Sequence, residues 1–181
     1  MNITLIGMPG SGKSVIGKEL AELLGYRFID SDRTIEEKTG MKLQQIIDKF
    51  GYEKFIKIEE AAVIGCVKKN NCECVFSPGG SVVYCAKAMD SLRKNSLIVF
   101  LDAPFKSIYS RTENRDTRGI VGLKNKSLEE LFDERLALYK KYAGLTVKVP
   151  ADFNKEQVVK KIIKLTHQCS KKSSQENLCR N

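Results

Sequence analysis

Along this chain, apolar residues fall into short runs, separated by longer stretches in which they recur every three or four positions. Runs at 2–6, 27–29, 74–77, 97–101 and 145–149 read as buried strands. They are continuously apolar more than alternating, as expected where both faces of a sheet are covered. The stretches between them carry helical spacing. Residues 13–24 place Val15, Ile16, Leu20, Leu23 and Leu24 near one face and stop at Gly25. Helical patterns follow at 34–38, 43–50, 53–69, 86–93 and 105–112. Ser127, with Glu130 on the same turn, opens a helix to about 142 through a capping box. A last pattern at 158–165 closes the ordered chain. Strands alternating with helices predict an α/β fold around a parallel central sheet.

Two segments break this rhythm. Residues 111–126 show little apolar periodicity and read as a long surface loop, the kind of segment that serves as a lid in a compact domain. From 169 to 181 the chain is polar and reads as a disordered tail. The rest, 1–168, fits one domain, with the lid at about 112–126. The composition, 42% hydrophobic and 29% charged, excludes a disordered chain, a collagen-like fibre and a disulfide-dense miniprotein.

A net charge of +9 calls for acidic partners: nucleic acid, an anionic membrane or phosphorylated small molecules. Charge alone does not choose among them. The pairs Lys68-Lys69, Lys140-Lys141 and Lys160-Lys161 are scattered and carry few aromatic neighbours, which argues against a nucleic-acid surface. No stretch approaches the roughly 18 apolar residues that cross a bilayer. The first apolar run is too short for a signal-peptide core, so a cytoplasmic protein with no membrane partner is expected. In that compartment the six cysteines are thiols, and Cys66, Cys72 and Cys74 match no common zinc spacing.

The strongest chemical signal is Gly7-Met-Pro-Gly10-Ser11-Gly12-Lys13-Ser14, which fits G-x-x-x-x-G-K-[ST] between a strand and a helix. The glycines let backbone N–H groups turn around a phosphate, and the helix N-terminus adds positive charge. Lys13 supplies a cation for the β- and γ-phosphates, and the Ser14 hydroxyl can ligate Mg²⁺. A nucleoside triphosphate site follows. Asp30 and Asp32 sit at the end of the next strand, beside this loop, where ligands gather in open α/β sheets. Two such carboxylates can divide between the Mg²⁺ shell and a substrate hydroxyl. Gly79-Gly80 either lets backbone N–H groups approach a ligand or makes a tight turn. Arg111 and Arg118 bracket the polar loop, where a mobile arginine can close over the γ-phosphate, with Arg115 in competition. Arg135 either faces the cleft, where it would suit a carboxylate, or is an exposed helix charge.

Together these segments resemble the shikimate kinase family, within the nucleoside-monophosphate-kinase-like P-loop group. The resemblance covers roughly 1–165: the P-loop at 7–14, Leu24-Gly-Tyr-Arg-Phe-Ile-Asp30-Ser-Asp32, Ile35-Glu36 before Gly40, Gly51 and Phe55 with Ile58-Glu59, Gly79-Gly80, the Arg111…Arg118 loop, and Arg135 with Leu138-Tyr139. It implies a three-layer sandwich around a five-stranded parallel sheet, ATP and Mg²⁺ dependence, and a closing lid. It also implies roles. Ser14 and Asp30 would organise Mg²⁺. Lys13 and Arg118 would hold the phosphates, with Gly7, Gly10, Ser11, Gly12 and Val15 around the nucleotide and Arg111 by the adenine. Asp32, Gly79, Gly80 and Arg135 would hold the acceptor, with Lys13, Asp32 and Arg118 as the catalytic groups.

The departures lie at the acceptor. The family usually has an arginine after Phe55 to clamp the shikimate carboxylate; here Ile56 stands there, and Lys57 points about 100° away on a helix. Losing one partner of a charged clamp typically costs about 1.5–3 kcal/mol per hydrogen bond. The turn reads Gly-Gly-Ser81 in place of three glycines, and the lid reads Arg118-Gly-Ile-Val121 in place of Arg-Pro-Leu-Leu. The expected activity is γ-phosphoryl transfer from ATP to a hydroxyl of a small carboxylated metabolite, by a monomer. Shikimate is the leading acceptor. Homoserine is the alternative, its carboxylate on Arg135 and its ammonium on Asp32. A nucleotide-dependent binding or nucleic-acid module is the rival of another class.

Overall fold

The computed structural model describes residues 1–69, 72–113, 120–122 and 126–178. Its strands are β1 (Asn2–Ile6), β2 (Arg27–Asp30), β3 (Cys74–Ser77), β4 (Ser96–Asp102) and β5 (Leu145–Lys148). They form one parallel sheet in the order β2-β3-β1-β4-β5. The expected α/β architecture with five strands is present. β1 lies at the centre, Ile3 registering with Val75 on one side and Leu97 on the other. The central strands β1 and β3 are buried along nearly their whole length and β4 through residues 98–101, as continuous apolar runs require. The edge strands are not: Ile29 is the buried residue of β2 and Val147 that of β5.

The helices are α1 (Lys13–Leu24), α2 (Ser31–Thr39), α3 (Leu43–Lys69), α4 (Ala86–Asn95), α5 (Phe105–Glu113), α6 (Leu128–Tyr142) and α7 (Lys155–Leu178). The buried stripe of α1 is Ile16, Gly17, Leu20 and Ala21. Val15 and Leu23, expected on that face, are 52% and 58% exposed. The reason is close packing: a Cβ on Gly17 would stand 2.5 Å from the Phe28 ring, so the helix presses its smallest residues on the sheet. α2 begins directly after β2, earlier than the expected 34–38, because the Asp30 carboxylate caps it by accepting from the N–H groups of Asp32 and Arg33. α3 comprises the two expected helices, joined across a kink at Gly51, whose φ of 77° and ψ of 169° are not helical.

α5 carries Arg111 and runs to Glu113, into the segment expected to be a loop from 111; most of the expected lid lies outside the described residues. The capping box of α6 is present: Ser127 Oγ accepts from Glu130 N–H at 3.1 Å, and Glu130 Oε2 accepts from Ser127 N–H at 2.7 Å. α7 runs well past Leu165, through residues expected to be a polar tail. Nothing between 155 and 178 is Gly or Pro, so no backbone breaker interrupts it. Among the described residues no helix is long and apolar enough to cross a membrane. Cys74 and Cys85 are buried, and burial pushes their thiols up to about 11 and about 12. Both pack in apolar clusters.

Candidate active site

The loop between β1 and α1 opens at the carboxyl end of the sheet, with β3 and β4 on either side of β1. Gly10 and Gly12 hold φ of 81° and 96°, a region that glycine enters without penalty. Gly12 is the N-cap of α1 and has no side chain to block the helix's first N–H groups, which stay available to an anion. Lys13 folds over the loop, its Nζ donating to the carbonyls of Gly7 at 2.9 Å and Met8 at 3.1 Å. Burial brings its pKa down to about 8; Arg135 adds to the fall, while Asp32, Asp30 and Glu59 oppose it. The side chains of Gly12's neighbours Lys13, Ser14 and Val15 line a cavity of about 490 Å³ with Pro9, Gly10, Asp30, Asp32, Arg111 and Phe153. Ser11 is buried, and its Oγ has no partner. Arg111 reaches in from α5: it donates to Gly10 O at 3.1 Å and lies 5.1 Å from the centroid of the Phe153 ring.

Asp30 and Asp32 sit where β2 turns into α2 and have separate environments. Asp30 is tied down: besides capping α2, its Oδ2 accepts from the Ser14 hydroxyl at 3.1 Å. Asp32 faces the cleft. Desolvation, with repulsion from Asp30, raises its pKa to about 6 against the opposing pull of Lys13.

A second cavity of about 420 Å³ opens beside the first, lined by residues of α2, α3, the turn after β3, and α6. Gly79, Gly80, Ser81, Phe55, Asp32 and Arg135 belong to it. Gly79 is needed as glycine for space: a Cβ there would stand 2.3 Å from Glu59 Oε1 and 2.8 Å from Asp32 Oδ1. Arg135 is 1% exposed, so it faces the cleft and is no surface charge. It donates through NH2 to Val121 O at 2.6 Å and through Nε to the Tyr84 hydroxyl at 3.4 Å. NH1 stands 3.1 Å from where a Cβ on Gly80 would lie. Tyr139 donates to Gly80 O at 2.8 Å and stacks on Phe100, tying the glycine turn to the core.

The structure thus brings together the sequence-predicted Gly7, Gly10, Ser11, Gly12, Lys13, Ser14, Val15, Asp30, Asp32, Gly79, Gly80, Arg111 and Arg135 at one end of the sheet. Arg118 and its competitor Arg115 lie outside the described residues. Ile56 is not a cavity residue: it packs between two apolar clusters, and its carbonyl accepts from the Cys85 thiol at 3.7 Å. Lys57, beside it, is exposed.

Sequence reasoning assigned no role to Glu59, Phe153 or Tyr84. Glu59 had a readable signal, a carboxylate on the apolar face of an amphipathic helix. It is fully buried; Ser81 Oγ donates to Oε2 at 2.7 Å, and Oε1 has no partner. Desolvation lifts its pKa to about 7, above its ordinary value. As the pH rises, the unfolded chain releases this proton before the folded one does. The contribution is complete below the unfolded pKa of 4.5 and is lost as the pH passes through about 7. Glu59→Gln should therefore flatten the fall in Tm between about pH 5 and about pH 8, leaving the smaller slope due to Asp32. Thermal melts across that range check it; an unchanged slope would mean that Glu59 titrates normally.

The sequence pattern described as shikimate kinase matches residues 9–167. A shikimate kinase of Caldanaerobacter subterraneus is 34% identical over 165 residues, 90% of this chain and 94% of that one. One of Thermodesulfovibrio yellowstonii is 35% identical over 165 residues, covering 90% and 93%. Among solved structures, the shikimate kinase of Acinetobacter baumannii in complex with shikimate superposes with a TM-score of 0.81 at 30% identity, covering 92% of this chain and 93% of that one. That of Aquifex aeolicus gives 0.80 at 29% identity, covering 94% and 98%. Nothing in these comparisons supports the homoserine alternative. With its P-loop, cleft arginine and glycine turn on the same parallel sheet, this chain belongs to the shikimate kinase family, whose members are small-molecule ATP-dependent kinases.

Proposed function

We propose that the acceptor is shikimate, that ATP is the donor and that Mg²⁺ is the metal. One observation carries the reading: Asp32 and Pro9 line both cavities, so a carboxylate stands where a nucleotide phosphate and an acceptor hydroxyl would meet. The names of the relatives support the same acceptor, as does the Acinetobacter baumannii enzyme, solved in complex with shikimate.

Each group then has a duty. The loop residues Gly7, Gly10, Ser11 and Gly12 present N–H groups to the phosphates, Val15 and Arg111 flank the nucleotide, and Lys13 follows the phosphoryl group as it moves. Ser14 and Asp30 fit a hard cation, because their side-chain oxygens are already within 3.1 Å of each other and are the donor type that Mg²⁺ takes. When bound there, the metal would neutralise charge on the β- and γ-phosphates. Asp32 orients the acceptor hydroxyl and takes its proton late, since this transfer needs position and electrostatics more than a strong base. Gly79 and Gly80 bring backbone close to the acceptor, and Arg135 meets its carboxylate. Arg118 is the proposed lid cation.

The test is coupled ADP release with shikimate, with homoserine and with no acceptor. Release should depend on shikimate. A preference for homoserine, or release indifferent to acceptor, would overturn the reading.

A further inference from the structure

Part of the Arg135 guanidinium is already engaged by the protein in this chain. A bidentate grip needs two parallel N–H groups. Its Nε N–H goes to the Tyr84 hydroxyl and one N–H of NH2 to Val121 O at 2.6 Å, so the edge formed by Nε and NH2 is already engaged and the NH1 end remains for the acceptor. The position after Phe55 offers no help, because Ile56 is held between two apolar clusters. Among the described residues lining the second cavity, the cations are Arg135 and Lys42.

Lys42 lies in the turn between α2 and α3 and lines the same cavity as Arg135, which comes from α6. Its backbone is held: Gln45 Oε1 accepts its N–H at 2.8 Å, and Glu36 Oε1 accepts the N–H of Leu43 at 3.4 Å. Its side chain is 77% exposed and meets Glu36 Oε2 at 3.0 Å. Exposed pairs of this kind contribute little and exchange readily. A lysine also carries its charge on a flexible four-carbon stem with three donors. Fixed at the root and flexible along its stem, Lys42 can exchange Glu36 for an anion in the cavity.

We propose that Lys42 is the second cation for the acceptor carboxylate, taking the duty that Ile56 cannot perform. The inference rests on shikimate being the acceptor. Lys42 is a specificity-determining residue and takes no part in the transfer itself, which occurs at the junction marked by Asp32.

The experiment compares wild type, Lys42→Met and Lys42→Arg in steady-state kinetics with shikimate. Inhibition constants for shikimate's uncharged carboxamide are measured alongside. Lys42→Met should raise the KM for shikimate about tenfold, the equivalent of about 1.4 kcal/mol, with kcat and the KM for ATP unchanged. Lys42→Arg should recover most of the loss. The carboxamide should inhibit wild type and Lys42→Met equally, because it has no charge to lose. An unchanged KM in Lys42→Met, with wild type active on shikimate, overturns this role alone. A parallel weakening toward the carboxamide overturns it too, since that would mark a structural effect. A wild type inactive on shikimate overturns the acceptor reading along with it.

Discussion

Replacing Lys13 by alanine is expected to lower turnover at saturating ATP by about 10³-fold. That is about 4 kcal/mol, at about 1.4 kcal/mol per tenfold. Charge accumulates on the transferred phosphoryl group, and a preorganised cation in a half-buried site stabilises it far more than the same cation in water. Lys13 meets that description: two loop carbonyls hold its Nζ in place. With a pKa of about 8 it is mostly charged at neutral pH, and polyphosphate would hold the proton more firmly. Nucleotide binding should weaken less than turnover, because the loop N–H groups and Arg111 remain. Rapid-quench or coupled assays, with a melting curve for integrity, decide the matter. A folded alanine variant within tenfold of wild type would separate Lys13 from the reacting phosphate.

Asp32→Asn should lower kcat by about 10²–10³-fold, the range for removing a positioned proton acceptor. The KM for ATP should change little, because the phosphate loop is untouched. The pH profile gives a sharper test. Asp32 accepts a proton only when ionised, and its pKa stands at about 6, so wild-type kcat/KM should fall as the pH drops through about 6. On the basic side it should fall as Lys13 loses its charge near 8. These are apparent values of a coupled set of charges, not of either group by itself. In Asp32→Asn the acidic limb should vanish and the basic limb should move to lower pH, because Asp32 helps hold the proton on Lys13. If the acidic limb survives, another carboxylate controls it, and Glu59 is the next candidate.

The elements were legible because their causes are local. A glycine-rich loop between an apolar run and an amphipathic stretch has few ways to fold, and the phosphate chemistry follows from those eight residues, 7–14. The α6 cap was readable for the same reason: Ser127 and Glu130 satisfy each other within one turn. The face of α1 was misjudged at Val15 and Leu23, because the deciding contact is between Gly17 and Phe28, on a neighbouring strand. The start of α2 was placed too late, because the cap comes from the last residue of the preceding strand. Arg135 stayed ambiguous in sequence, since helical spacing does not say which face meets a cleft. Its burial against Val121 and Tyr84 decides it.

Local pattern was enough for the alternation of strands and helices, the phosphate loop with Lys13 and Ser14, and the carboxylates beside it at the end of a strand. Each depends on residues close together along the chain, where spacing and backbone chemistry act directly. The acceptor side took its form from packing between distant segments. That packing set Asp32 at the junction of two cavities, buried Glu59 with one oxygen unpartnered, turned Ile56 into packing and brought Lys42 to the wall. Those outcomes depend on distances between segments far apart in sequence, and on the loss of water between them, which no local pattern encodes.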